Sequence, residues 1–197
     1  MACKHRFINE LNPEWGIEYL FIGTFNPEWN NDNNNAYYFY GRYTNDFWYI
    51  MPQVFGKNSL MEKKYRTNKE YLKNFLKENK IGLTDLILEI KNVNENNPIH
   101  KKDVLSFKDK KIENYDIDFN INNIKKIIDS NKNLKGVYFT RNIENQSKIC
   151  DEWLKIKDYC IRKNIHTSEL ITPSRGYRSN GYNRNKKLED WRKIVLK

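Results

Sequence analysis

Short apolar runs alternate with amphipathic stretches along the chain, which is the pattern of strands that alternate with helices. Runs rich in β-branched, aromatic and aliphatic residues occupy residues 18–22, 134–140 and 167–171 and predict strands. Gly23 closes the first run and indicates a turn. A further apolar stretch extends over residues 82–90. All of these runs are far too short to cross a bilayer, so they predict buried strands of a soluble protein.

Helical periodicity marks five segments between and after these runs. In the first, Thr44 or Asn45 can cap a helix whose apolar stripe reaches Val54, and Gly56 can stop it. Pro52 lies inside this stripe and is expected to kink or shorten the helix. The other four predicted helices cover residues 68–79, a segment capped by Asp118 or Asn120 that runs to residue 128, and residues 144–163 and 187–197.

Strands that alternate with helices predict an α/β fold. We expect a three-layer α/β/α sandwich around a short, mainly parallel four-stranded sheet, in one domain that covers residues 1–197. Ligands of such sheets bind where loops leave the carboxyl ends of the strands. The long loop over residues 26–43 is rich in aromatics, which favours a functional role over disorder. The polar residues 91–115 are expected to form a mostly exposed excursion.

Composition and charge narrow the functional classes. Aromatic residues make up 14% of the 197 residues, a content that a disordered chain would not carry. The chain holds 35 Lys and Arg against 25 Asp and Glu, a formal net charge of +10. This surplus favours a polyanionic partner such as nucleic acid, although a Lys- and Asn-rich composition can produce it without one. Because the amino terminus lacks the apolar core of a signal peptide, we expect a cytoplasmic protein, nucleoid-associated if prokaryotic.

Cysteines and histidines offer no metal or disulfide pattern. Cys3, Cys150 and Cys160 form no CxxC pair, and their odd number argues against a disulfide framework. The three histidines add no spacing that zinc or an iron–sulfur cluster requires. The sequence also lacks the motifs of dinucleotide, P-loop, zinc-protease, α/β-hydrolase and zinc-deaminase sites. We therefore expect neither a metal nor another cofactor.

One alternative to this metal-free interpretation involves Asp85, Glu89 and Lys91. They offer the carboxylates and the lysine of a Mg²⁺-dependent nuclease. However, their spacing differs from the usual pair of adjacent strands, and a Glu-x-Lys triplet is common in a lysine-rich chain. Solvated charges at the end of a strand or helix are the simpler interpretation, and the nuclease stays the weaker alternative.

The chemically unusual segments all follow predicted strands. In GTFNP, Gly23 lets backbone approach a ligand, and Pro27 restricts Asn26 to extended conformations. The aromatic run over residues 37–48 offers faces that can stack on bases at about 1–3 kcal/mol per base, and Arg42 within it can meet a phosphate. In TPSRGYR, a serine, two arginines and a tyrosine suit phosphate binding and insertion of a wedge.

These segments resemble the motifs of the uracil-DNA glycosylase superfamily. LFIGTFNPEW resembles its first motif, a strand followed by a glycine and G-x-N-P in the mismatch-specific uracil/thymine branch. YYFYGRYTNDFW resembles the aromatic run and N-x-F-W of that branch and of the hypoxanthine-DNA glycosylase-like branch. GLTDLI and VYFTRN resemble later landmarks, and ITPSRGYR resembles the H/N/M-P-S loop. The order of the motifs holds from about residue 18 to the final helix.

The resemblance implies a uracil-DNA glycosylase-like fold and a monofunctional DNA glycosylase that needs no cofactor. Such an enzyme hydrolyses the N-glycosidic bond of a base that is turned out of the duplex, at a cost of a few kcal/mol that is lower for damaged or mismatched bases. It implies DNA as the partner, no membrane and no metal, and we expect a monomer. The base itself, of uracil, hypoxanthine or mismatched-thymine type, is left open.

The resemblance also assigns roles to residues. Asn26 or Asn45 positions the attacking water, since an amide is no strong base but its carbonyl can orient water. Backbone amides of the Gly23 turn stabilise the departing base anion. The residues expected at the flipped base are Gly23, Thr24, Phe25, Tyr40, Thr172 and Ser174, and those expected at DNA phosphates or as a wedge are Arg42, Arg175, Tyr177 and Arg178, with Ser174 helping.

One departure from the family motifs keeps a second interpretation open. Thr172 stands where some branches have a histidine, so an imidazole cannot stabilise the leaving group from this position. A catalytically silent nucleic-acid-binding protein of the same fold would keep the arginines and the aromatic loop without releasing bases. The Mg²⁺-dependent nuclease differs from both because chelation would abolish its activity.

Overall fold

A parallel sheet forms the centre of the fold in the computed structural model, which describes residues 1–29, 36–106, 108–142, 147–175 and 182–197. In chain order, strands β1 to β7 cover Ala2–Lys4, Tyr19–Gly23, Ile81–Asp85, Ile87–Lys91, Asp116–Phe119, Gly136–Phe139 and His166–Glu169. The central sheet has the order β3-β2-β6-β7, and every neighbouring pair runs parallel. The carboxyl ends of all four strands therefore lie at one edge.

Helices cover both faces of this sheet. In chain order, helices α1 to α8 cover Phe47–Val54, Lys63–Arg66, Lys69–Glu78, Pro98–Val104, Asp109–Ile112, Ile121–Ser130, Lys148–Arg162 and Arg184–Val195. None of the helices in the described part of the chain combines the length and the apolar character that crossing a membrane requires.

Alternating side chains of β2 divide the core into two layers. Leu20 and Ile22 pack with α6 and α7, whereas Phe21 faces the opposite side and packs with α1, α3 and α8. On that second side, the Phe21 ring stacks on Trp191 of α8 at a centroid distance of 5.7 Å. The α/β/α sandwich with a four-stranded sheet is thus confirmed, and the sheet is parallel throughout its described strands.

A second, smaller sheet is absent from the sequence-based prediction. Strands β1, β4 and β5 form it in the order β1-β4-β5, with antiparallel pairs. The apolar stretch over residues 82–90 therefore supplies strands to two sheets, β3 to the parallel one and β4 to the antiparallel one. Only Leu86 separates these strands, so the chain passes from one sheet to the other directly at the carboxyl edge.

The residue at the N-cap position accepts a hydrogen bond with its side chain in four of the eight described helices, α3, α4, α7 and α8. The side chain of Asn68 accepts a hydrogen bond from the Tyr71 backbone N–H, 3.0 Å away, at the start of α3. Pro52 stays inside α1 without ending it, because the Trp48 carbonyl that a normal residue 52 would bond accepts instead from the Leu60 N–H at 2.8 Å.

Residues 91–115 are more structured than the polar composition suggested. They contain α4 and α5, and Val93, Val104 and Ile112 are buried in the core layer of α6 and α7. The expected exposed excursion is wrong in this respect, because a few apolar residues spaced among lysines are enough to anchor two short helices. The segment also forms one wall of the cleft described next.

Candidate active site

A deep cleft opens at the carboxyl edge of the parallel sheet. Its volume is about 1180 Å³, somewhat above the roughly 300–1,000 Å³ of most small-molecule sites. The three predicted segments that follow strands or precede α1 all contribute to it. Ten of the twelve predicted site residues line it: Gly23, Thr24, Phe25, Asn26, Tyr40, Arg42, Asn45, Thr172, Ser174 and Arg175. The other two, Tyr177 and Arg178, lie outside the described residues.

Backbone hydrogen bonds join the segment before α1 to the segment after β7. Asn45 and Ser174 form an isolated antiparallel bridge. The Asp46 N–H donates to the Pro173 carbonyl, and the Arg175 N–H donates to the Thr44 carbonyl, each at 2.8 Å. Segments more than a hundred residues apart in the sequence are therefore held side by side at the cleft.

Side chains of the cleft floor approach the backbone closely at Gly23. A Cβ at this position would collide with Asp85 Oδ1 and would lie 2.7 Å from the Tyr40 hydroxyl oxygen. A side chain of any kind is thus excluded here. The glycine lets a carboxylate and a phenol reach the end of β2 together.

Asp85, at the end of β3, carries a buried carboxylate beneath the cleft. It is 1% exposed, and His5, also 1% exposed, contacts its Oδ2 through Nε2 at 2.7 Å. The Phe7 backbone N–H donates to His5 Nδ1 at 3.0 Å, so Nδ1 is an acceptor and the imidazole proton lies on Nε2. His5 therefore donates to Asp85.

Asn26 completes this network. Its Nδ2 donates to the same Asp85 Oδ2 at 2.7 Å. An ionised carboxylate only accepts hydrogen bonds, so the amide nitrogen of Asn26 must face Asp85 and its Oδ1 is turned away. The backbone also fixes the residue, because the Arg6 N–H donates to the Asn26 carbonyl at 2.7 Å.

Tyr40 lies beside Gly23 with a strained backbone, at a φ of 55°. Its ring stacks on Phe47 at a centroid distance of 4.0 Å. Its hydroxyl lies 2.9 Å from Thr140 Oγ1, whose proton goes to the Ile22 carbonyl, so Tyr40 is the donor of this pair. Burial, and then the nearby Asp85 charge, raise the pKa of Tyr40, so the phenol stays neutral at physiological pH.

The side chain of Asn45 stabilises the start of α1. Its side-chain oxygen accepts from the Phe47 backbone N–H at 2.9 Å, which caps the start of α1. The capping bond occupies the carbonyl that could orient a water, while the Asn45 amide nitrogen keeps its donors. Two asparagines are predicted to position the water. The side-chain oxygen of Asn45 is engaged by Phe47, whereas the side-chain oxygen of Asn26 is turned away from Asp85.

The remaining residues predicted at the base are mostly held by local bonds. Phe25 packs edge-on against His5 at 5.7 Å. The Thr24 carbonyl accepts from the Ile87 N–H at 3.0 Å. Thr172 Oγ1 accepts from the Ser174 N–H at 3.3 Å, and the Ser174 carbonyl accepts from the buried Lys187 ammonium at 2.7 Å. These bonds fix both walls of the cleft.

Positive side chains and an exposed aromatic ring surround the mouth. Arg175 donates through Nε to Asp46 Oδ1 at 2.7 Å, and its guanidinium lies 4.8 Å from the centre of the Tyr43 ring. Tyr43 is 66% exposed. Burial lowers the pKa of Arg42 to about 10, while Asp85 opposes the shift, so Arg42 stays cationic at neutral pH. Lysines 108, 110 and 111 line the wall to which residues 105, 106 and 108–111 contribute.

Several residues of the cleft were not predicted as part of a glycosylase site. His5 lies at the amino terminus, and the sequence assigns no role in base excision to Asp85 or Thr140, although they stand in the family-like segments GLTDLI and VYFTRN. Asp85 and Thr140 each stand at or just after the end of a parallel strand, the position at which α/β sheets bind ligands. That rule could have found them, whereas no sequence signal marks His5.

The residues of the nuclease alternative do not meet at one place. Asp85 binds His5 and Asn26, whereas Lys91 pairs with Asp118 at 3.5 Å on the antiparallel sheet. Among the residues that the structure describes, no group of three or more His, Cys, Asp and Glu side chains is placed to hold a metal ion.

Comparison with known proteins gives one informative match. The chain is similar to the solution NMR structure of a protein from Methanosarcina acetivorans that is named a "putative Uracil DNA glycosylase". The TM-score is 0.52 and the identity is 18%, over 92% of this chain and 93% of that one. The chain has a uracil-DNA glycosylase-like fold. No protein-family model and no curated protein matches the sequence.

Proposed function

We propose that this protein is a monofunctional DNA glycosylase, which hydrolyses the N-glycosidic bond of a base everted from DNA. The observation that carries the proposal is the convergence of the Asn26, Asn45 and Ser174 segments on one cleft beside a buried carboxylate. The fold shared with the Methanosarcina protein supports it. The proposal includes a monomer that acts without cofactor on cytoplasmic DNA.

The cleft floor supplies the surfaces that an everted base needs. The Tyr40 ring is backed by Phe47, so it can offer a rigid aromatic surface to a base. The backbone amides of the Gly23 turn lie at the ends of parallel strands, where they can donate to a base that leaves as an anion. Thr24, Phe25, Thr172 and Ser174 form the walls around it.

Asn26 is proposed to position the attacking water. Its amide nitrogen is held by Asp85, which leaves its oxygen to accept a hydrogen bond from a water in the cleft. Asn45 is proposed to act from the opposite side, where its capping bond to Phe47 leaves the amide nitrogen as a donor. Both assignments make the amides orienting groups rather than bases.

The cationic mouth is proposed to bind the DNA backbone. Arg42 and Arg175 stay charged at neutral pH, and the lysines of residues 108–111 extend the positive surface along one wall. Such contacts release counterions, so affinity should fall steeply as salt rises. Tyr177 and Arg178 remain proposed as wedge and phosphate ligand.

The experiment is an excision assay in EDTA. The protein is incubated with duplexes that each hold one uracil, one hypoxanthine or one thymine opposite guanine, and alkali then cleaves any abasic site. We expect shortened strands from at least one duplex only after alkali, and a strong reduction in Asn26→Ala. Lys132→Ala, far from the cleft, serves as the matched control and should excise like the wild type.

Each other outcome selects a different function. Strand breaks before alkali that disappear in EDTA would indicate the nuclease. Salt-sensitive binding of every duplex with no alkali-labile site would indicate the catalytically silent nucleic-acid-binding protein of this fold. Full excision by both Asn26→Ala and Asn45→Ala would end the water-positioning roles.

A further inference from the structure

We propose that Asp85 is the catalytic base of this site, the group that accepts the proton lost by the attacking water. The inference rests on the proposed glycosylase function and adds a residue to it. Asp85 is carried by β3, the strand beside the one that ends in the GTFNP segment, so it reaches the same floor from a neighbouring strand.

Two hydrogen bonds occupy one carboxylate oxygen of Asp85, and the other oxygen can accept a proton from water. Oδ2 accepts from His5 Nε2 and from Asn26 Nδ2, each at 2.7 Å, which uses the two lone pairs of that oxygen. Both donors are themselves fixed, His5 by the Phe7 N–H and Asn26 by the Arg6 N–H on its carbonyl. The carboxylate therefore cannot rotate without breaking buried bonds.

The other oxygen, Oδ1, is directed at the cleft floor. It contacts the place where Gly23 lacks a side chain, next to the Tyr40 hydroxyl, and both Gly23 and Tyr40 line the cleft. The Tyr40 hydroxyl donates its hydrogen bond to Thr140 Oγ1, so at the cleft floor its oxygen can only accept. The oxygen of Asn26 is likewise an acceptor. This corner of the cleft thus consists of acceptors.

A group of acceptors suits a water molecule with its protons directed inward. A water that donates to Asp85 Oδ1 and to Asn26 Oδ1 has its own lone pair directed out of the floor, toward a substrate. An amide or a phenol cannot take the proton that this water must lose, whereas a carboxylate can. Among the acceptors of this corner, the function of base falls to Asp85.

The chemical step balances without a further reactant. The water oxygen forms a bond to C1′ of the deoxyribose, and the bond from C1′ to the base nitrogen breaks with its electron pair going to the base. The proton of the water passes to Asp85 Oδ1. Asp85 then returns it to the base anion through the cleft, which releases the neutral base, leaves an abasic sugar and restores the carboxylate.

Asp85→Asn tests the proposal while it preserves the network. The atom at the Oδ2 position must still accept from His5 and Asn26, so the new amide nitrogen replaces Oδ1 at the floor. Single-turnover excision of the base that the wild type prefers in the panel should slow by about 10²–10⁴-fold. Binding to the same duplex made non-hydrolysable with a 2′-fluoro sugar should be unchanged. Asp118→Asn, on the antiparallel sheet, is the matched control and should excise normally.

The possible results separate the two proposals. Wild-type excision with an equal rate in a folded Asp85→Asn overturns the assignment of Asp85 alone. A wild type that releases none of the three bases overturns the glycosylase function and this inference with it.

A second variant decides if Asp85→Asn loses its cooperative unfolding transition. Asp85→Ser keeps a hydroxyl oxygen that can accept from His5 but carries no carboxylate. Its single-turnover rate should also fall by about 10²–10⁴-fold. A folded Asp85→Ser that excises at the wild-type rate overturns the proposal.

Discussion

The two edges of the parallel sheet carry polar groups of opposite character. At the carboxyl edge, Asp85 and His5 are each 1% exposed and satisfy one another inside the protein. At the amino edge, Glu18 pairs with Lys80 and Lys135, each at 2.6 Å, but both lysine side chains are 61% exposed. A hollow of about 350 Å³ lies at this second edge as well. A cavity is thus present at each edge, but within the described part of the chain only the one at the carboxyl edge has a buried charged group at its floor.

The difference in burial between the two edges indicates which edge carries the catalytic groups. Burying a carboxylate is costly unless donors compensate it, whereas an exposed ion pair contributes little either way. A sequence that only had to fold could place an apolar residue at position 85, as it does at Leu83. The network at the carboxyl edge is therefore best understood as a functional requirement, and the predictions below test it against the amino edge.

The largest effect on stability is expected from His5→Phe. The variant keeps a ring of similar size but leaves the buried Phe7 N–H without its partner and removes one of the two donors to Asp85 Oδ2, which keeps the bond from Asn26. Each buried hydrogen bond that is lost costs about 1–3 kcal/mol, so the free energy of unfolding should fall by about 2–5 kcal/mol. Urea denaturation measures it. A loss below about 1 kcal/mol would contradict the account of this network.

Glu18→Gln is the counterpart at the amino edge. Hydrogen bonds from Lys135 and Lys80 lower the pKa of Glu18, so its contribution is present above the ordinary carboxyl pKa of 4.5 and is lost as the pH falls. Since the pairs are exposed, the variant should lose only about 0–1 kcal/mol at neutral pH. The difference from the wild type should vanish in acid.

Gly23→Ala is expected to have the next largest effect. The new methyl group would collide with Asp85 Oδ1 and crowd the Tyr40 hydroxyl, so the floor must shift. Overpacking of this kind costs about 1–3 kcal/mol, and base excision should fall far more than stability because the displaced groups are those of the site. Thermal unfolding and the excision assay measure the two effects.

Gly16→Ala is the matched control for that substitution. A Cβ on Gly16 would meet nothing within 4 Å, and the residue lines the hollow at the amino edge. Stability should stay within about 0.5 kcal/mol of the wild type. Equal damage from the two substitutions would show that the edges do not differ as described.

The smallest effect is expected from Lys108→Gln. Lys108 is exposed on the wall of the cleft, and the loss of one phosphate contact should reduce the slope of log affinity against log salt by about 1. Fluorescence anisotropy of a labelled duplex at several salt concentrations measures it. Lys132→Gln, exposed at the amino edge, should leave the slope unchanged.

Much of the fold follows from local pattern, but the antiparallel sheet does not. Apolar runs mark β2 and β6 because these strands are buried on both faces. β1 has only three residues, and β5 reads Asp-Ile-Asp-Phe, so neither contains a run that stands out from its surroundings. Their pairing with β4 depends on contacts between residues far apart in the chain.

The site was predictable to the extent that strand ends and motifs reveal it. Gly23, Asn26, Asn45 and Ser174 stand in such segments, and the structure brings them to one cleft. The bond between His5 and Asp85 joins residues 80 positions apart, and the capping bond that occupies the Asn45 oxygen depends on the backbone geometry of α1. The donors and acceptors of these bonds are set by the folded structure, so the sequence alone could not predict them.

Eversion of a base into the cleft is tested most directly by the fluorescence of 2-aminopurine. The probe is placed next to the preferred base of the panel in a duplex with a 2′-fluoro sugar, and anisotropy of the same sample reports binding. The account predicts that fluorescence rises and saturates together with binding, because the neighbouring base leaves the stack. Binding that saturates with no change in fluorescence would contradict it.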